Sequence, residues 1–259
     1  RVSRKEQDEF AHESHQKYGK ALQRGFFKNE LLHLSIDIKD KKGRIISNIF
    51  LDVDEQYRAD ITVTNLAKLE PIFGNPTCTA GNAPGMNDGS AAQILMKRET
   101  ADALSLDVLY TIVGMSSIAL HPRLMAVAPA FAIKRCLDSS RMSINNIKYF
   151  EINEAFACIP LICARLLSNE RFLTSDYKKM VTEVTEKPIL DNDPKKYENL
   201  KSKLNINGGA IAIGHANTAT GARLMMTAAY NLREKGGGFA ACGICGGLAQ
   251  GAGCIIWVD

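Results

Sequence analysis

The chain has 259 residues, 46% hydrophobic and 23% charged, ordinary values for a globular protein of one large domain or two smaller ones with a sizeable buried core. Its net charge of +4 sits on scattered Lys and Arg with no basic stripe or interleaved aromatics, which argues against a nucleic-acid partner and suits at most an anionic ligand. No apolar run approaches the roughly 20 residues that span a bilayer and no basic-then-apolar leader opens the sequence, so a soluble, cytoplasmic protein without a membrane partner is expected.

In chain order, Ser3 to Arg24 places Phe10, Ala11, Ser14, Ala21 and Leu22 at helical spacing among charges, with Ser3 as N-cap and Gly25 as stop. Leu31 to Val53 mixes short β-branched stretches with Gly43 and Asp/Lys clusters, as strands and turns do. The glycine-rich stretch from Thr77 to Leu95 reads as a tight loop feeding a core strand, followed by a charged helix over Lys97 to Ala103. Val108 to Ile118 reads as a buried strand, and Ala128 to Leu137 as a helix after the breaks at Pro122 and Pro129. Tyr149 to Ile152 is a short strand, and an apolar helix reaches Leu167. Ser168 to Leu204 turns polar, and an exposed excursion is expected there.

The last segment, from Ile206 onward, reads as a glycine-rich turn and a helix with Ala222, Met225, Met226, Ala229 and Leu232 on one face, then a strand, a glycine hairpin and a closing strand. Apolar strands alternating with helices imply an α/β architecture. Seven cysteines, mostly in apolar segments, argue for a reducing compartment and against a disulfide scaffold. Cys242 and Cys245 have CxxC spacing, yet no second pair or His cluster completes a metal site, so no metal is expected. A redox or zinc protein built on that pair is the alternative. Cys254 reads as core, and His12, His15, His33 and His121 as surface or loop residues.

Three segments in order, Asn153-Glu154-Ala155-Phe156 (NEAF), GGAIAIGH ending at His215, and CGGLAQG beginning at Cys245, resemble the C-terminal catalytic motifs of the thiolase family. Upstream, SRKEQDEFA, TAGNAPGMNDGSAA and HPRLMAVAPAFAIKRCL resemble family segments as well, so that all but residues 168–204 is covered. The resemblance implies a thiolase-type layered αβαβα fold. Residues 1–78 would be a remnant of the CoA-loop domain. Residues 79–104 would give a strand and helix that complete the N-terminal half, and residues 105–259 the C-terminal domain, with 168–204 as an exposed insertion.

The same resemblance implies an acyltransferase subunit for Claisen condensation or thiolysis of short acyl-CoAs, most simply two acetyl-CoA to acetoacetyl-CoA plus CoA. His215 would activate a nucleophilic thiol and point an N–H at the thioester oxygen, and Asn153 would hold a water in the same oxyanion hole. Cys245 would move the α-proton with a pKa lowered by a nearby His or by backbone amides, and the Gly247 amide would serve a second oxyanion hole. Pro84, Gly85 and Phe156 are the implied CoA contacts, with CoA as substrate and product and no other cofactor.

Departures from the family pattern are Ala216, where a proline commonly follows the histidine, and Pro84, where some members have a serine. None of the seven cysteines lies in a segment like the family's nucleophile motif, and Arg1 falls past that point. A small thiolase subunit carrying the nucleophilic cysteine is therefore the implied partner, in a dimer of heterodimers or larger hetero-oligomer. A half-domain also leaves strand edges and apolar surface exposed, which favours pairing. The competing readings are a non-catalytic thiolase-fold scaffold or acyl-CoA binder, and a fragment of a longer polypeptide.

Overall fold

The computed structural model describes residues 2–176, 179–181 and 193–259. Helix α1 (Arg4–Gln23) starts from a reciprocal cap: the Ser3 hydroxyl accepts the Glu6 amide while the Glu6 carboxylate accepts the Ser3 N–H at 2.8 Å. Phe10, Ala11, Ser14, Tyr18 and Ala21 form its buried stripe, and Gly25, at φ +74°, ends it. His15 lies on that stripe at 3% exposure rather than on the surface, because the register that buries Ala11 and Tyr18 turns it inward.

Strands β1 (Leu34–Lys39) and β2 (Ile45–Leu51) form an antiparallel hairpin closed at Asp40, whose carboxylate accepts the amides of Lys42 and Arg44. The hairpin stands apart from the main sheet, and Ile36, Ile45, Ile46, Ile49 and Phe50 remain exposed on it. The short helices α2 (Val63–Ala67) and α3 (Arg98–Ala103) follow.

The main sheet has the order β3 (Thr111–Ala119), β6 (Gln250–Val258), β5 (Gly238–Gly246), β4 (Ile147–Ile152), with β4 parallel to β5 and the other pairs antiparallel. The edge at β4 is extended by residues 203–205, where Asn205 N–H donates to the Phe150 carbonyl at 2.9 Å. Helices α4 (Ala128–Ser139) and α5 (Cys158–Leu167) pack an apolar cluster with Phe131, Ile133, Phe150, Ile152 and Ile255. A second cluster joins a C-terminal helix (Thr220–Glu234) to Ala240, Cys242, Cys254 and Ile256. The sheet is thus enclosed between helices, the layered α/β arrangement expected of a thiolase-type fold. Among the described residues no helix is long and apolar enough to cross a membrane.

Helix α4 sits so close to β6 that a Cβ on Gly253 would lie 2.8 Å from the carbonyl carbon of Ala132. The GAG run is therefore a packing requirement between two backbones.

Four further expectations are corrected. The core strand expected within 79–104 is absent: residues 88–96 belong to no ladder among the described residues, and Ile94, Leu95 and Met96 are exposed. Within 168–204, Phe172 on helix α6 (Glu170–Thr174), Leu200 on α7 (Pro194–Ser202), and Met180 and Leu204 outside those helices are buried, so the described ends of that stretch are anchored in the core and are not a wholly exposed excursion. Phe172 meets Phe131 edge-on at 5.0 Å, and such an aromatic contact outweighs the polar composition around it. The rest of that expectation, residues 177–178 and 182–192, lies outside the described residues. The buried face of the C-terminal helix runs through Leu224, Thr227, Ala228, Asn231 and Leu232 instead of Ala222 and Met226, because polar Thr227 and Asn231 are drawn inside by partners the hydrophobic pattern does not reveal. Strand β3 is only partly buried, with Val113 and Met115 exposed, since it is the sheet edge.

Gly253→Ala is expected to cost about 1–3 kcal/mol through overpacking against α4, while Gly221→Ala, with open space around its Cβ, is neutral or slightly stabilising. Urea denaturation midpoints of the two variants check the contrast.

Candidate active site

Strand β4 delivers Asn153, fully buried, and its amide continues the sheet by donating to the Gly243 carbonyl at 2.9 Å. Asn205 grips the same turn from the side: its carboxamide oxygen accepts the Ile152 amide at 2.9 Å, and its Nδ2 donates to Ile152 O and Glu154 Oε1, both at 2.8 Å. The buried Glu154 carboxylate also accepts Ser14 Oγ at 2.7 Å and the Ile211 amide at 3.1 Å. One side chain therefore ties β4 to α1 and to the first turn of α8 (Ala210–Ile213).

Helix α8 ends at Gly214, whose φ of +107° excludes a side chain, and the chain reverses directly into His215. Asn87 Oδ1 accepts the His215 amide at 3.3 Å, and Met86 forms an isolated parallel bridge with His215. The Thr220 hydroxyl, at the start of α9 (Thr220–Glu234), donates to the Ala216 carbonyl at 3.0 Å. With that proton committed, Thr220 Oγ1 can only accept from His215 Nδ1, 2.8 Å away. In the tautomer protonated on Nδ1, the Nε2 lone pair faces Asn153 Nδ2, 3.3 Å away, and accepts from it. Burial, and then the positive charge of Arg223, hold the His215 pKa below its usual value, so the ring is neutral and basic at Nε2 near pH 7. Among the described residues, the buried Asn153 Oδ1 has no hydrogen-bond partner.

Cys245 lies at the end of β5, two residues beyond the Gly243 that receives the Asn153 amide, and pairs with Gly251. It packs at the edge of the cluster holding Phe156, Cys158 and Cys163. Burial pushes its thiol pKa up, with a smaller opposing pull from a backbone hydrogen bond. That corrects the expectation of a lowered pKa: desolvation of the thiolate outweighs the nearby amides. Cys242 points to the opposite side of β5 toward the Leu224 carbonyl, so the CxxC spacing makes no pair, and both thiols are free. Among the described residues no group of three or more His, Cys, Asp or Glu is arranged to hold a metal ion.

Gly247 is exposed in the turn between β5 and β6, followed by Leu248 and Ala249 in left-handed backbone at φ 58° and 60°. Pro84 and Gly85 are half-buried in the loop that also carries Met86 and Asn87, and the Ala157 amide donates to Asn82 O at 3.0 Å, which fixes this loop beside the half-buried Phe156. The structure brings Asn153 and His215 into direct contact, sets Cys245 on β5, whose Gly243 carbonyl accepts the Asn153 amide, and places the loop that follows Pro84 and Gly85 against His215 through Met86 and Asn87.

Sequence reasoning missed Asn87, Asn205 and Thr220, which orient the set, and the structural role of Glu154. The available signal was weak: single polar residues inside otherwise apolar or glycine-rich stretches. Also missed was a buried charge group under α9. Arg223 stands 3.7 Å from Glu151 Oε2, too far for a hydrogen bond, and among the described residues both Glu151 oxygens and both terminal guanidinium nitrogens lack hydrogen-bond partners. Burial wins over that attraction and pushes the Glu151 carboxyl up to about 8, and likewise Glu30, held by Thr227 Oγ1 at 2.5 Å, up to about 7.

The family model for the thiolase C-terminal domain matches residues 106–258, and that for the thiolase N-terminal domain matches residues 1–99. The chain belongs to the thiolase family. The beta-ketoadipyl-CoA thiolase of Pseudomonas knackmussii is 37% identical over 252 residues, covering 97% of this chain and 54% of the relative. The peroxisomal 3-ketoacyl-CoA thiolase 1 of Arabidopsis thaliana is 34% identical over 258 residues, covering 98% and 52%. The crystal structure of the Bacillus anthracis acetyl-CoA acetyltransferase superimposes with a TM-score of 0.79 at 31% identity, covering 99% of this chain and 56% of that one. This thiolase chain thus spans about half the length of the relatives it matches.

Replacing Glu154 by Ala strands three buried donors and is expected to cost about 3 kcal/mol or more, read from denaturant unfolding. The Glu151 carboxyl binds its proton more tightly folded, at about 8, than at its ordinary 4.5. Its contribution to stability is therefore fully present below pH 4.5 and is lost as pH rises through about 8. Unfolding midpoints of the unaltered chain should fall with pH across that window, and those of Glu151→Gln should fall less; equal slopes would show that Glu151 is not the group responsible.

Proposed function

We propose that this chain supplies the acid–base half of a thiolase active site, acting on short acyl-CoA thioesters, while the nucleophilic cysteine comes from another polypeptide, a smaller thiolase subunit in a hetero-oligomer. The hydrogen bond from Asn153 to His215 Nε2, with Nδ1 protonated against Thr220, carries this reading. It leaves a neutral imidazole nitrogen ready to take a thiol proton once Asn153 yields its place to the incoming S–H. The proton then sits on Nε2 and faces the thioester oxygen on which charge develops, beside a water accepted by the orphaned Asn153 Oδ1.

The elevated pKa of Cys245 fits a thiol that is protonated at rest. It gives its proton to the CoA sulfur as the first acyl group moves to the nucleophile. The thiolate left behind takes the α-proton of the second acyl-CoA, whose carbanion attacks the enzyme-bound acyl group and frees the nucleophilic sulfur. The Gly247 amide would serve the oxyanion of that attack. Pro84, Gly85 and Phe156 would border the CoA. The simplest reaction of this class joins two acetyl-CoA into acetoacetyl-CoA and CoA, and the same residues run it in reverse.

In the assembled enzyme, His215→Ala and Cys245→Ser are each expected to lower acetoacetyl-CoA cleavage by about 10²–10⁴-fold, a general acid–base contribution. Asn153→Ala should lower it by about 10²–10³-fold, as for loss of one oxyanion donor. Turnover that survives all three substitutions rules the assignment out, and an assembly that binds acyl-CoA without ever cleaving it leaves a thiolase-fold binder.

A further inference from the structure

A cavity of about 320 Å³ lies between α4, α5, α6, α7 and strand β4, and none of Asn153, His215 and Cys245 lines it. Its walls are tied together. Phe172 of α6 meets Phe131 of α4 edge-on at 5.0 Å, and the Phe150 amide donates to the Lys203 carbonyl at 3.0 Å, which fastens the end of α7 to the sheet edge. The floor is apolar, with Leu137, Phe150, Leu167 and Leu200 all buried. A concave site of this size, apolar beneath and with a few convergent polar groups, has the form of a small-molecule pocket.

Lysines dominate its charge. Lys134 is only 6% exposed, although an ammonium is seldom enclosed without full pairing, and its Nζ donates to Asp138 Oδ2 at 2.6 Å. That is its one hydrogen bond among the described residues, and Asp138 itself is 59% exposed at the rim. Two of the three ammonium donors are left for an acceptor in the cavity. Lys196 is exposed and paired with Glu170 at 2.9 Å, whereas Lys203, half-buried on the wall, has no acid partner among the described residues. Three lysines against two carboxylates leave one positive charge beside an apolar floor. A single anionic head on an apolar body answers both needs, while a free phosphate would bring excess charge and leave the floor uncovered. At ~30 Å³ for each non-hydrogen atom, the volume suits about ten of them.

We infer that this cavity binds an aliphatic monocarboxylate of about eight carbons, its carboxylate held between Lys134 and Lys203 and its chain laid over Phe150, Leu167 and Leu200. The site is separate from the acyl-CoA site proposed above and does not depend on that reading.

Octanoate titrated into the full chain, followed by calorimetry and by thermal unfolding, is expected to bind saturably and to raise the unfolding midpoint as its concentration rises. Octylamine, with the same chain and the opposite charge, should not bind. Lys203→Gln should weaken octanoate binding at least about tenfold, the loss expected when one charge-assisted hydrogen bond goes, whereas Lys41→Gln in the turn of the β1–β2 hairpin should leave it unchanged. Lys134→Met, which keeps the apolar stem, should abolish binding; Lys203→Gln, at a more open position, decides the matter if that variant does not fold. Three outcomes overturn the inference: no saturable binding of octanoate, equal binding of octanoate and octylamine, or binding that survives Lys203→Gln but is lost in His215→Ala, which would put octanoate at the candidate active site instead.

Discussion

A carboxylate removed from water must be met by donors, and the Glu154 side chain meets that demand with groups from three distant parts of the chain. Ser14 comes from the first helix, Asn205 from the extension of the sheet edge, and Ile211 from the short helix before the histidine. Satisfying one charge thereby fixes where Asn153 leaves the sheet and where His215 enters the site. The spacing between amide and imidazole is a by-product of that neutralisation, which is why the adjacent Asn and Glu act as a unit.

Beneath α9 the same principle is left half-fulfilled. Arg223 approaches Glu151 without hydrogen bonding to it, and Glu30 finds a hydroxyl rather than a cation. Both acids hold protons to higher pH than usual, so this part of the interior carries less charge than its composition suggests. Arg223 lies one turn beyond Thr220, and its charge reaches His215. The charge of a residue buried under α9 is thus linked to the basicity of the His215 imidazole.

Much of this was legible in the residues. The capped first helix, the turn at Gly25, the apolar helices and the closing pair of strands follow from local patterns that tertiary structure reinforces. Asn153, His215 and Cys245 could be singled out because the three segments that carry them, in order, resemble the catalytic motifs of one family. What could not be read depends on partners distant in sequence. Phe172 is buried because Phe131 is waiting for it, and the hydroxyl of Thr220 sets a tautomer only once α9 has been placed. Residues 88–96 show the opposite failure: their small and apolar composition calls for a strand, and the described residues offer nothing for it to pair with.

The turn that carries Gly247 holds two consecutive non-glycine residues, Leu248 and Ala249, in left-handed backbone, each at a cost of order 1 kcal/mol. The antiparallel ladder of β5 and β6, running through Cys245↔Gly251 and Gly246↔Gln250, sustains that tension. A loop kept coiled in this way has little conformational entropy left to lose, because its peptide groups are already fixed. The geometry of that turn is thus set during folding and does not wait on any contact made later.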